Sequence, residues 1–387
     1  MIDNPIYLDN NATTKTAPEV IEAMLPYLGT FYGNPSSMHS FGGQVAKEIK
    51  KARIHTAKLF NASPDEFIFT SCGTESDSAA IFSAIKSFPD RKHIMTSSVE
   101  HPAVKNLYEN LKKQGYRISF IPVDSKGRLD LDFYNENLTE DTALVSIMWA
   151  NNETGTIFPI KELAAKANAK GILFHTDAVQ AAGKIVTDLS DVKVDLLSIS
   201  GHKLHAPKGI AALYIRKGAP FHPFLVGGHQ EWGKRAGTEN TASIIALGKA
   251  CELARMNMEK EQKEVKRLRD KLEKNLLEKI THSFVNGDIE NRLPNTSSIS
   301  FEYIEGEAIL LMMDQFNICA SSGSACTSGS LEPSHVLRSM GVPYEAAHGT
   351  VRFSLSIYNT EEEIDFVIEK MPSIISRLRE MSPFWKG

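Results

Sequence analysis

The chain has 387 residues, 42% of them hydrophobic and 23% charged, with a formal net charge of −4. Lys and Arg are interleaved with Asp and Glu, so no basic stripe marks a nucleic-acid partner or an anionic membrane, and no apolar run approaches the roughly 20 residues of a membrane helix. These are the proportions of an ordinary globular protein, and a length prior of roughly 100–200 residues per domain predicts two or three domains.

The opening MIDNPIYLDN has an early acid and a proline and lacks a basic-then-apolar signal pattern, which predicts a cytoplasmic protein. From about residue 65 to 215, short apolar runs alternate with helical segments: FIFT (67–70), HIMTSS (93–98), ISFIPVD (118–124), ALVSIMWA (143–150), ILFHTDA (172–178), DLLSIS (195–200) and AALYIR (211–216). Runs of this length, rich in β-branched residues and separated by helices, predict buried parallel strands of an α/β domain. Ligands gather beyond the carboxyl ends of such strands, and polar residues collect there: SCGTES, NNETG, TDAVQ and GHK. From about 254 to 280, Val265, Leu268, Leu272, Leu276 and Ile280 recur at helical spacing and predict one long amphipathic helix joining two domains. The alternating SSISFEYI and VRFSLSI, and a capping box from Thr360 to Glu363, predict a smaller α+β domain after it.

Cys72, Cys251, Cys319 and Cys326 have neither CxxC nor Cys/His ligand spacing, so free thiols are expected rather than a zinc site or disulfides. Cys251 and Cys319 read as core thiols.

Lys203, just past DLLSIS, sits where an amine loses solvation and can form a Schiff base with a carbonyl cofactor, although a lysine there is more often a solvated loop residue. Asp177 ends another apolar strand; a carboxylate there needs a cation, such as the protonated ring nitrogen of pyridoxal phosphate, or serves as a helix N-cap. In FTSCGTESDSAAI, Gly73 permits close backbone approach, Thr74 offers a hydroxyl, and the following helix start can cradle a phosphate or simply close a tight turn. His101 follows a strand where its imidazole could lie over a planar ring and move protons. Arg352, among apolar neighbours, fits either a two-pronged grip on a carboxylate or an ion pair on an exposed sheet face.

Ten segments, among them YLDNNATT, GNPSSMHSFG, TSCGTESDS, VEHPAV, ANNETG, HTDAVQAAGK, SGHKLHAPKG, GTENT, SSGSACTSGSLEPSHVLRSMG and VRFSLS, resemble in order and spacing those of cysteine desulfurases from residue 7 to about 365. TSCGTESDS with GHQEWGKRAGTEN is most similar to the nitrogen-fixation type. The resemblance implies a homodimeric fold-type-I enzyme of pyridoxal 5′-phosphate with the aspartate aminotransferase architecture. It implies a large α/β domain over 16–258 with a mostly parallel seven-stranded sheet, and a small α+β domain from 1–15 and 259–387. It makes Lys203 the Schiff-base lysine, Asp177 the ring-nitrogen partner and His101 the stacking acid/base. Gln180 and Asn152 then flank the phenolic oxygen and substrate. Gly73, Thr74, Ser200 and His202 hold the phosphate, with Thr238 reaching it from the partner subunit, and Arg352 with Asn152 holds the substrate carboxylate. Trp232 and Ile357 stand where relatives often carry arginine.

Cys326 lies in SSGSACTSGS (321–330). The resemblance makes it the nucleophile that takes sulfur from L-cysteine as a persulfide, leaving L-alanine, and hands it to a sulfur-acceptor or iron–sulfur scaffold protein, with nitrogenase supply implied. No resident metal is expected, only a transient cluster ligand through the persulfide. Glycine and serine predict a segment that is easily reshaped, as travel between a buried cofactor and an outside partner requires. No charged side chain lies within five residues of Cys326, so its thiolate would draw on the helix that Pro333 opens or on His101. Selenocysteine lyases and sulfinate desulfinases share the architecture without needing the loop thiol, and a non-catalytic sulfur scaffold would use the thiol alone.

Overall fold

The apolar runs of the first half become strands whose carboxyl ends face one edge, and the sheet they form positions everything that follows. The computed structural model describes residues 5–322 and 333–385. Its strands are β1 (Ile6–Tyr7), β2 (Phe67–Thr70), β3 (His93–Ser97), β4 (Arg117–Ile121), β5 (Thr142–Ser146), β6 (Leu173–Asp177), β7 (Leu196–Ser200), β8 (Ala211–Ile215), β9 (Ser283–Asn286), β10 (Thr296–Phe301), β11 (Ile318–Cys319), β12 (Ser321–Ser322) and β13 (Thr350–Ser354). A seven-stranded sheet runs in the order β2-β8-β7-β6-β5-β3-β4. β3 through β7 pair in parallel, as their apolar runs predict.

β8 departs from that expectation: it is antiparallel to both β2 and β7. The link after β7 holds only one three-residue helical turn, Gly201–Lys203. A parallel neighbour needs a crossover of about a dozen residues or more, so this short link returns the chain as a hairpin-like partner instead.

Helices cover both faces of the sheet. Helix Ser40–Leu59 lies against helix Thr241–Met256 so closely that a Cβ on Gly248 would come within 2.3 Å of the Ala52 Cα. Across the chain a second core forms from Ile6, Leu8, Val265, Leu268, Leu272, Leu276, Ile280, Phe301, Phe353 and Met371. It fills the space between a four-stranded sheet, β12-β13-β10-β9, and helices Lys266–Lys279 and Glu361–Met381. Thr360 and Glu363 cap the latter reciprocally, at 3.3 and 3.1 Å. Leu293, Val336, Leu337 and Met340, by contrast, pack onto the core of the large sheet. The N-terminus is drawn to the second core by the parallel pairing of β1 with β11.

The single long helix expected over 254–280 is interrupted. Asn257 ends helix Thr241–Met256, and a five-residue π-turn, Glu261–Val265, precedes helix Lys266–Lys279. Such turns recur at functional positions, and this one buries the Glu261 side chain. Pro333 also sits differently from the expectation: it precedes Ser334, whose hydroxyl caps helix His335–Ser339 by accepting from the Val336 N–H at 3.1 Å. No described helix is long and apolar enough to cross a membrane.

Candidate active site

Beyond the carboxyl ends of β2, β3, β5, β6 and β7 opens a cavity of about 580 Å³, within the range of about 300–1,000 Å³ usual for small-molecule sites. Gly73, Thr74, His101, Asn152, Asp177, Gln180, Ser200, His202, Lys203 and Arg352 all line it. Asp177 and Ser200 end β6 and β7, Gly73 and Thr74 open the helix after β2, His101, Asn152, Gln180, His202 and Lys203 come from the links after β3, β5, β6 and β7, and β13 supplies Arg352 from the second sheet. Thr238 does not line this cavity; with Ser71 and Arg235 it lines a smaller one of about 180 Å³. Cys326 lies outside the described residues, and so does the expectation of an easily reshaped segment around it. The flanks of residues 323–332 are described, and both are at the site: Ser321 pairs with Arg352, and Pro333, Ser334 and His335 line the cavity.

Two buried carboxyls form the floor. Asp177 Oδ1 accepts from the Val179 N–H at 2.9 Å, and burial raises its carboxyl above the ordinary range while Lys203 opposes that. Asp77, on helix Gly73–Ser87, is raised well above the ordinary value by burial and then by the charge of Asp177. Its Oδ1 has no hydrogen-bond partner and lies 3.6 Å from His175 Nε2. That imidazole is clamped by Ser146 Oγ at 2.8 Å and Ser198 Oγ at 2.9 Å, and burial holds its pKa down to about 3, so it supplies no positive charge. A pair of buried acids facing a cavity calls for a cation there.

The Lys203 amine donates to the carbonyl oxygens of Asn11 and, at 2.6 Å, Ala12. His101 accepts from the Ala103 N–H through Nδ1 at 3.2 Å, as N-cap of helix Pro102–Lys113. Burial, then Lys203 and His335, push its pKa down to about 4. The imidazole is therefore neutral at pH 7 with its proton on Nε2. His202 is held to about 4 by burial and by Lys203, and its Nδ1 is 3.2 Å from Thr13 Oγ1.

Gly73 opens a 15-residue helix, whose first-turn N–H groups have no intrahelical acceptor. A Cβ on Gly73 would meet Val179 Cγ2 at 3.3 Å and Ser200 Cβ at 3.5 Å, so glycine keeps this cradle open and a side chain there would crowd it. Glu75 in the same turn is engaged by Arg235, at 2.9 Å.

Arg352 is 2% exposed, which removes the exposed-face reading. Its Nη2 contacts Asp9 Oδ1 at 2.9 Å and its Nη1 donates to the Asn152 carbonyl at 3.1 Å. Gln180 donates through Nε2 to the Asn11 carbonyl at 3.0 Å and accepts from Lys184 Nζ at 3.0 Å. Glu153 accepts from the Ser334 hydroxyl, and His335 Nε2 is 2.9 Å from the Glu100 carbonyl. Burial pushes Glu100 up to about 8 and Glu153 up to about 7.

Asp9, Asn11, Asp77, Glu153, Lys184 and His335 went unnoticed in the residue-by-residue reading. Asn11 stood in YLDNNATT, but nothing in its pattern places an N-terminal loop beneath the end of β7. Trp232, an unusual residue on resemblance, lies over the Arg53 guanidinium at 4.6 Å, and Ile357 packs against the second core. Cys251 is buried, its thiol raised to about 12, while Cys319 is half-buried and Cys72 is exposed at the cavity. Among the described residues no group of three His, Cys, Asp or Glu is placed to hold a metal ion.

A lysine, an aspartate, a histidine and a glycine-led helix start converging on one sheet edge define an enzyme of the aminotransferase type, and the aminotransferase class-V family matches residues 6–367. Cysteine desulfurase NifS of Azotobacter vinelandii is 60% identical over 99% of this chain and 95% of its own length. A NifS-like protein of known structure superposes with a TM-score of 0.91 at 38% identity, covering 97% of this chain and all (100%) of its own. A structure of SspA in complex with cysteine gives 0.81 at 34%, covering 92% and 100%. The chain belongs to the cysteine desulfurases of the class-V aminotransferase family.

Proposed function

We propose that this cysteine desulfurase holds pyridoxal 5′-phosphate through Lys203 and moves the sulfur of L-cysteine onto Cys326 as a persulfide. The observation that carries the reading is the placement of Asp177 at the end of β6 and Lys203 just past the end of the adjacent β7, facing one cavity with a second buried acid, Asp77, beside Asp177. The residues fit the group: the acids suit a protonated ring nitrogen, the open Gly73 cradle with Thr74, Ser200 and His202 suits a phosphate, and Lys203 suits its carbonyl.

Bound there, the cofactor supplies an electron sink that weakens the bonds around the substrate's α-carbon. Asp177 holds its negative charge against the ring nitrogen. His101, neutral and protonated on Nε2, lines the cavity where a bound ring would sit, and could hold or pass a proton at that atom. Arg352 and Asn152 would hold the substrate carboxylate, and Gln180 Nε2, which donates to the Asn11 carbonyl, would offer its second N–H to the phenolic oxygen. The Cys326 thiolate attacks the substrate sulfur: an S–S bond forms as the Cβ–S bond breaks, and the carbon takes a proton to leave L-alanine. A nucleophile of an acceptor or iron–sulfur scaffold protein in the cytoplasm then takes the outer sulfur as the S–S bond breaks and the Cys326 thiolate is regenerated, nitrogenase clusters among the destinations.

A homodimer brings Thr238 of one subunit to the phosphate of the other, and the two bodies divide at 16–258 against 1–15 with 259–387. Borohydride reduction tests the cofactor site. The purified protein is expected to lose its visible colour and carry the reduced cofactor on Lys203 in peptide mapping; a colourless protein with Lys203 unmodified would overturn the reading.

A further inference from the structure

Gln180 has two ends, and its chemistry depends on which one faces the cavity. The amide oxygen accepts, the amide nitrogen donates, and a packed glutamine can in general turn either way. Here Lys184 and the Asn11 carbonyl hold it from its two ends. The Lys184 Nζ, which can only donate, lies 3.0 Å from Gln180 Oε1. That contact is compatible with only one orientation, and it sends Nε2 to the other side, where it reaches the Asn11 carbonyl at 3.0 Å. The same carbonyl takes the Lys203 amine, so Lys184, Gln180, Asn11 and Lys203 form one continuous chain of hydrogen bonds.

Lys184 is itself buried, and so is Glu261. Both line a small cavity of about 60 Å³ that also touches Lys203, large enough for ordered water between polar groups. A buried ammonium without a counter-charge is costly. Glu261 supplies that charge from the π-turn between the two helices at the junction of the cores. Burial lowers Lys184 and raises Glu261, and each opposes the other's shift.

We infer that Lys184 is a positioning residue: by holding the Gln180 oxygen from behind, it keeps the Gln180 N–H aimed at the anionic phenolic oxygen of the bound cofactor. The inference rests on the pyridoxal phosphate reading above and assigns a task to a residue outside the cavity wall. Without Lys184 only the Asn11 carbonyl still holds the amide, so the Gln180 donor is less firmly fixed and its oxygen, which would be repelled by an anion, is no longer held away from the cavity.

The test is titration of the apoprotein with pyridoxal 5′-phosphate, followed by the pH midpoint of the bound cofactor's visible absorption. Lys184→Met is expected to weaken cofactor binding by roughly 10-fold to 100-fold, the cost of losing one hydrogen bond to a charged group. It should also move the midpoint upward by about half a unit or more, since the oxygen's charge is no longer held by a donor. Lys184→Arg, with room in the adjoining cavity, is expected to restore both. If Lys184→Met does not fold, the double variant Lys184→Met/Glu261→Gln removes both buried charges and should show the same two shifts. Wild-type affinity and midpoint in either variant would overturn the inference, leaving Lys184 a packing group. A wild-type protein that takes up no pyridoxal phosphate would overturn the site reading itself.

Discussion

Asp9 and Arg352 meet at 2.9 Å, the carboxylate from the loop after β1 and the guanidinium from β13 beside it. Asp9 engages Nη2 and the Asn152 carbonyl engages Nη1, so the plane of the guanidinium is fixed before any substrate arrives. A lysine cannot reproduce that fork. Arg352→Lys is expected to raise KM for L-cysteine by about tenfold or more, one lost charged hydrogen bond. Asp9→Asn should raise it only a few-fold, with kcat less affected. Steady-state kinetics of both variants checks this, and an unchanged KM in Arg352→Lys would contradict it.

Arg53 and Glu231 form a buried two-pronged ion pair at 2.6 and 2.9 Å, and the Arg53 guanidinium lies 4.5 and 4.6 Å from the rings of Phe69 and Trp232. Removing one partner of such a pair leaves the other charged and dry. Glu231→Ala is expected to cost about 3–5 kcal/mol of stability. Trp232 is 58% exposed, so Trp232→Ala should cost only about 0.5–1 kcal/mol, the weight of an exposed cation–π contact. Denaturant unfolding of the two variants separates these costs.

The lowered pKa of His101, about 4 against an ordinary 6.5, has a direct spectroscopic signature. Between those two values the unfolded chain binds the proton and the folded one does not. The group's contribution to stability is thus present above pH 6.5 and lost as pH falls through about 4. Nitrogen-15 NMR of the histidines at pH 6 should find His101 neutral with its proton on Nε2. A charged imidazole at that pH would contradict the burial argument.

Glu153 works in the opposite direction. Its pKa is raised from 4.5 to about 7 by burial, so the folded state keeps a proton that the unfolded chain has released. Its contribution is present below pH 4.5 and lost as pH rises through about 7. Glu153→Gln, still able to accept from Ser334, is expected to flatten the fall in thermal midpoint between about pH 5 and 8. An identical pH slope in wild type and variant would show that Glu153 is not buried protonated.

The strand-end residues of the site were legible because each follows an apolar run whose direction the parallel pattern fixes: Asp177 after ILFHT, Lys203 after DLLSIS, Gly73 after FIFT. β8 was misjudged because an apolar run carries no sign of direction, and only the short link after β7 sets it. Asp9 and Asn11 escaped because they reach the site through tertiary contact, β1 pairing with a strand over 300 residues away in the chain. Lys184 and Glu261 escaped because a lone lysine and an acid in a charged helix read as solvated, whereas the fold buries both. The resemblance to cysteine desulfurases supplied what periodicity could not, above all the role proposed for Cys326.

Sulfur transfer through that thiol is tested most directly by incubating the protein with L-cysteine, without added reductant, and weighing the intact chain beside a measurement of alanine. Wild type is expected to gain the mass of one sulfur atom at Cys326 for each alanine released in the first turnover, and Cys326→Ala to gain none and to make almost no alanine. Alanine released by Cys326→Ala at the wild-type rate would contradict the account.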